Sequence, residues 1–239
     1  MTDMMMDRRN LLTTGAVLSA GAAMSQSTIA HAQQGASAPA RSFTPQPLPL
    51  PFDPKAIAGL SEKLLISHHD NNYVGAVKRL GAITAQFSAL DPGTAPGFML
   101  NGLKREELIA WNSMILHELY FAGLGAPSRP GKALAAAIER DFGSEARWRA
   151  EFAGMGKALA GGSGWVLLTY SHRDNRLVNQ WAADHMTTLA DATPILALDM
   201  YEHAYAIDYG ARAAAYVDAF MGTVNWGSAD ARFARSSPA

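Results

Sequence analysis

The chain has 239 residues, 49% of them hydrophobic, and a formal net charge of −1. That content supports one or two domains with a sizeable core, and the balanced charge gives no basic excess for nucleic acid. Cysteine is absent, which excludes disulfides and thiolate ligands, so any metal must be held by His, Asp or Glu.

The N-terminus reads as an export signal. Arg8-Arg9 precedes a mildly apolar run from Thr13 to Met24, and Ala30-His31-Ala32 fits a small-x-small cleavage site. The run is too short and too weakly apolar for a stable membrane span. Residues 1–32 are therefore expected to be a twin-arginine signal peptide, cleaved after Ala32. Its partner is the twin-arginine export machinery and its destination the periplasm. Residues 33–53 are rich in Ser, Ala and Pro, and prolines alternate strictly from Pro45 to Pro51. This spacing rules out helix and predicts an extended linker without chemistry.

Residues 54–128 are expected to form an N-terminal helical hairpin. Its first helix is expected over 54–90, with Ser61 as a candidate N-cap. Leu65, His69, Tyr73, Ala76, Val77, Leu80, Ile83 and Phe87 share one face at helical spacing. Pro92, Gly93, Pro96 and Gly97 break the chain, and a second helix is expected over 104–124 with His117 on it. Residues 129–228 are expected to form a C-terminal α+β metal-binding domain. It holds helices over 131–141 and 144–160, strands over 165–170 and 177–182, a buried strand at Ile195–Leu198 and a helix over 211–222. Residues 229–239 read as a tail. The fold class is α+β: a helical hairpin followed by an α/β half with a three-stranded antiparallel sheet.

Asp199 and His203 sit where the third strand gives way to a turn. Asp and His together form an oxygen–nitrogen pair suited to Fe, Mn or Zn. The surrounding residues are more specific. Asp199-Met-Tyr-Glu202-His203-Ala-Tyr-Ala-Ile-Asp208-Tyr resembles the Asp-Val-Trp-Glu-His-Ala-Tyr-Tyr-x-Asp-Tyr signature of iron/manganese superoxide dismutases. Gly162-Ser-Gly-Trp165 and Ala219-Phe-Met-Gly-Thr-Val-Asn225-Trp226 are similar to two further motifs of that family, in the same order.

The resemblance implies one Fe or Mn ion per chain between the two halves, with superoxide converted to O2 and H2O2. Its ligands would be His117, Asp199, His203 and a histidine from the first helix. The family register favours His68 for that place, whereas straight-helix periodicity favours His69. Tyr73 and His185 would be the catalytic residues that order the reacting solvent. Glu202 would support a homodimer. The departures are as informative. The family's His-x7-Tyr is shortened here by three residues, Ala206 replaces an aromatic, Tyr201 and Phe121 replace tryptophans, and Ser113 stands where a glutamine is frequent. The alternatives are a non-enzymatic metal-binding or structural protein on the same scaffold, or a zinc hydrolase using the His/Asp pair.

Overall fold

The computed structural model describes residues 43–237. The expected signal peptide lies outside them.

Helix α1 (Glu62–Ser67) starts where the Ser61 hydroxyl accepts the Leu64 N–H at 3.1 Å, as the cap signal predicts. The same serine donates its N–H and hydroxyl to Asp208, at 2.7 and 2.6 Å, tying the helix start to a segment far along the chain. The helix does not run straight into α2 (Val74–Ser88). Between them His68–Tyr73 form a π-helical turn in which the Val74 N–H reaches the His69 carbonyl, five residues back. Such turns accommodate a helix whose length does not match its packing, and they concentrate at functional sites. Helix α3 (Gly97–Ala122) packs against α2 and completes the hairpin.

The expected linker differs from the prediction over its described part. Residues 43–51 form a strap bound to the hairpin. The Phe43 ring stacks on Trp111 with centroids 4.8 Å apart. The Leu48 N–H donates to the Tyr73 hydroxyl at 2.7 Å, and the Leu48 carbonyl accepts from His69 Nε2 at 2.8 Å. Alternating prolines hold the strap extended and leave its backbone polar groups without partners of its own, so side chains of the hairpin satisfy them.

Helices α4 (Lys132–Phe142) and α5 (Glu145–Ala158) lead to a sheet of β1 (Trp165–Ser171), β2 (Arg176–Ala182) and β3 (Ala192–Asp199). Its order is β2-β1-β3, antiparallel throughout. The central strand β1 is buried at every position, and α3 packs on β3, so the core lies between hairpin and sheet. Strand β3 begins before the predicted Ile195 and includes Pro194. A proline is tolerated there because β3 is an edge strand and its pairing shifts register beside Leu168 and Thr169.

After a 3-10 turn at Glu202–Ala204 come α6 (Ala206–Tyr209), α7 (Ala213–Gly222) and α8 (Gly227–Ser236). Helix α8 corrects the expected tail. Its buried side is only Ala229 and Phe233, four residues apart, a stripe too narrow to stand out among polar neighbours. Arg232 Nε donates to the Pro194 carbonyl at 2.9 Å and fixes α8 to the edge strand.

Candidate metal centre

The site is built from the end of β3. Gly164, at φ +136°, enters β1 with its Cα against β2; a Cβ there would lie 2.3 Å from the Ala182 carbonyl oxygen. Its own carbonyl accepts the Met200 N–H at 2.9 Å, which fixes the chain just past Asp199. Asp199 is completely buried. Its carbonyl oxygen accepts from the Tyr216 hydroxyl at 2.8 Å, and Oδ1 accepts the Tyr201 N–H at 2.8 Å. Only Oδ2 is left to face the centre. The 3-10 turn then brings His203 back over the same carboxylate, with Nε2 3.1 Å from Oδ2.

The hairpin supplies the remaining imidazoles. His117, on α3, is buried, and its Nδ1–H donates to the Ser113 carbonyl at 2.6 Å. That bond fixes the tautomer and leaves the Nε2 lone pair free, as metal-binding histidines require. Nε2 lies 3.6 Å from Asp199 Oδ2 and 3.4 Å from His203 Nε2. His68, in the π turn, is completely buried with Nε2 3.1 Å from Asp199 Oδ2. Its Nδ1 is buried without a hydrogen-bond partner among the described residues. The four donor atoms all lie within 4.8 Å of one another. Donors about 2.1 Å from one ion stand about 3.0–3.6 Å apart at angles of about 90–120°, and the close contacts here fall in that range.

Charge agrees with geometry. Burial alone would raise the Asp199 pKa, but His203 and His68 more than offset it and hold the carboxyl well below its usual range. Burial pushes His117 down to about 3, against the pull of Asp199, and pushes His68 down as well. His68 and His117 therefore face the carboxylate as neutral rings, the protonation that a divalent or trivalent ion needs. Three nitrogens and one oxygen, without sulfur, suit Fe or Mn.

His69 does not join the cluster. Its ring nitrogens contact Asp70 Oδ1 and the Leu48 carbonyl, each at 2.8 Å. The π turn is the reason: it interrupts the straight-helix phase that placed His69 inward and turns His68 to the core. The same turn redirects Tyr73. Its hydroxyl donates to Glu118 at 2.9 Å and accepts from Leu48, with no hydrogen bond to the four donors or to His185. Burial, with Glu118 beside it, raises its pKa to about 12, although the Leu48 N–H pulls the other way. Tyr73 thus binds the strap, and among the described residues its hydroxyl has these two partners.

His185 does lie beside the cluster, its ring centroid 6.1 Å from that of His117. The Trp165 indole N–H donates to its Nδ1 at 3.0 Å, and burial lowers its pKa. An indole nitrogen only donates, so the neutral ring carries its proton on Nε2. The His185 carbonyl is held by Asn112 Nδ2 at 2.6 Å. Tyr201 stacks between His185 and His203, with centroids 4.9 and 5.4 Å away and planes 12° and 9° from parallel. Asn112 and Tyr216 escaped the sequence reading because a polar residue on a helix face gives no local signal of the carbonyl it will meet.

An N3O centre between a helical hairpin and a three-stranded α+β half defines a mononuclear metalloprotein of redox type. A family model described as iron/manganese superoxide dismutases, C-terminal domain, matches residues 130–232. A superoxide dismutase (Fe) of Cupriavidus metallidurans is 68% identical over 186 residues, covering 78% of this chain and 94% of its own. A superoxide dismutase (Mn) of Halobacterium salinarum is 34% identical over 193 residues, 79% of this chain and 94% of its own. A superoxide dismutase (Fe) of Aquifex pyrophilus is 30% identical over 196 residues, 78% of this chain and 90% of its own. The chain belongs to the iron/manganese superoxide dismutase family.

Proposed function

We propose that the chain dismutes superoxide to O2 and H2O2 at one Fe or Mn ion held by His68, His117, Asp199 and His203. The observation that carries this reading is the convergence of those four donors beside a histidine, His185, whose proton is fixed on Nε2. The bound metal supplies a one-electron couple that superoxide can both reduce and reoxidise. Asp199 contributes the single fixed negative charge. His185, held by Trp165 and Asn112, presents an N–H at Nε2 for the reduced oxygen species. The 68% identical relative bears iron in its name, which favours iron.

The test is metal analysis of the purified chain, with superoxide decay followed for the iron-loaded, manganese-loaded and metal-free forms. Acceleration only in a loaded form is expected. The alternative is a non-enzymatic metal-binding protein on the same scaffold. Full metal loading without accelerated decay would select it.

Two further parts of the reading concern place and partners. The twin arginine and cleavage motif support export to the periplasm, where fractionation should find the chain shortened after Ala32. The described residues contain no helix long and apolar enough to cross a membrane. Glu202 is exposed beside ligand His203 and supports a homodimer through that surface. Sedimentation at several concentrations tests it, and a strict monomer would exclude it.

A further inference from the structure

Two ligands reach the centre from the hairpin, and they are held differently. His117 Nδ1 donates to the Ser113 carbonyl, whereas His68 Nδ1 has no partner among the described residues. A metal-binding imidazole is ordinarily oriented by a bond at its other nitrogen. The His68 ring is oriented instead by packing on Tyr120 and Phe121, each with its centroid 5.0 Å away, and by the backbone of the π turn. Single π turns are rare within helices, so this backbone depends on contacts from outside the helix. The strap supplies them from one residue. The Leu48 carbonyl accepts from His69 Nε2 and the Leu48 N–H donates to the Tyr73 hydroxyl, at 2.8 and 2.7 Å. His69 and Tyr73 are the second and last residues of the turn, so Leu48 ties both of its ends. Both bonds use the Leu48 backbone, and its side chain is largely exposed. Farther along, Phe43 stacks on Trp111 of α3, and Pro45 lies over Gly81 of α2, where an added Cβ would come within 3.6 Å of its ring. A cavity of about 110 Å³ remains between strap and hairpin, walled by His69, Tyr73, Glu118 and Phe121. The strap is therefore held at a few points and not by continuous packing.

We propose that the strap is the clasp of the metal centre: docked, it fixes the π turn and so positions His68, and its release is the step that lets the metal go. The inference rests on the ligand set of the proposed function and does not require turnover. His69 and Tyr73 are positioning residues that act through His68. An ion held by several ligands leaves them one at a time, because each remaining ligand keeps it close to the one just lost. The ligand with the least support opens first, and here that is His68.

The experiment uses the iron-loaded full chain and reads the rate of iron transfer to an excess of chelator, with no superoxide present. Phe43→Ala acts on the strap away from the ligands. His69→Phe keeps a ring against Phe121 and deletes the donor to Leu48. Each should speed iron release about tenfold, the low end of what loss of a supporting partner costs in metal affinity. The double variant should release iron little faster than the quicker single one, because both changes undo the same clasp. Phe43→Tyr keeps the stacked ring and should restore the parent rate. Phe233→Leu, which loosens α8 at the edge of the sheet, controls for general stability. It should lower the urea midpoint and leave the release rate within about twofold of the parent, as expected of a distant site. Parent release rates in Phe43→Ala and His69→Phe would overturn the proposal. So would an acceleration in Phe233→Leu equal to theirs at matched loss of stability. Strap-dependent iron release in a protein that leaves superoxide decay unaccelerated would overturn the dismutase reading and leave the clasp standing.

Discussion

The two sides of the metal centre are built on different plans. On the sheet side, Asp199, His203, Trp165 and His185 follow from a strand end, a 3-10 turn and a loop. Each is held by backbone or by a buried partner: Tyr216 and the Tyr201 N–H on Asp199, Trp165 and Asn112 on His185. On the hairpin side, His117 is equally fixed, but His68 stands in a π turn with its Nδ1 unpaired. The difference shows which part of such a centre tolerates change. A sheet-side ligand shares its strand with the core, so altering its register would move a whole buried face. A helix can lose three residues and recover its phase within one turn, provided the side chains that change face find new partners. Tyr73 found the strap.

The largest effect should come from the sheet side. Asp199→Ala removes the only anion of the centre, so metal affinity should fall by more than the about 10–100-fold that loss of a supporting partner brings. Elemental analysis of the purified variant measures this directly. Near-full occupancy would mean that the three imidazoles suffice and that the sheet side matters less than its construction suggests. Next in size is His185→Ala. With metal content unchanged, kcat/KM should fall about 10²–10⁴-fold, the usual contribution of a positioned proton donor. A variant as fast as the parent would place the donor elsewhere, with Tyr201 the nearest stacked candidate.

The same division governs what could be read from the residues alone. Asp199, His203, Trp165 and the order of the three strands follow from contiguous motifs, because strand-end chemistry is local. His68 is legible only through a register counted from Leu60-Ser61. Helical periodicity assumes an unbroken 3.6-residue repeat, and the π turn violates it at the residue in question. The strap has the pattern of a free linker because proline alternation reports backbone shape and says nothing of docking. That His69 and Tyr73 bind Leu48 is a contact across roughly 20 to 25 residues, which no local pattern encodes.

A pH experiment on the metal-free protein separates the buried rings from the rest. The folded pKa of His117 is lowered from 6.5 to about 3, chiefly by burial, and that of His68 is lowered too. The unfolded chain therefore binds these protons more readily than the folded one. The His117 contribution should be fully present above about pH 6.5 and fall as pH drops toward about 3, by about 1.4 kcal/mol per pH unit, with His68 acting in the same direction. Urea unfolding at a series of pH values checks the slope, and His117→Gln should remove one proton's worth of it. A flat profile between pH 6 and 4 would show that the imidazoles are already protonated in the folded apoprotein.

The smallest effect on turnover, and the sharpest test of the hairpin side, is Tyr73→Phe. The change deletes one hydroxyl and little volume, so the ring should keep its place against His69 and Phe121. Lost are the bond to Glu118 and the acceptor for the Leu48 N–H. Both partners are partly buried, so the cost should be about 1–2 kcal/mol of stability, read as a lower urea midpoint. The strap should loosen with it, seen as faster proteolysis within residues 43–51. Superoxide turnover per bound metal ion should stay within about twofold of the parent, because the hydroxyl's partners are Glu118 and the Leu48 N–H and not the four donors. A large loss of turnover at unchanged metal content and unchanged stability would reverse this assignment. It would mean that the Tyr73 hydroxyl serves the reaction as well as the strap, and that the shortened helix keeps the solvent-ordering role that the resemblance implies.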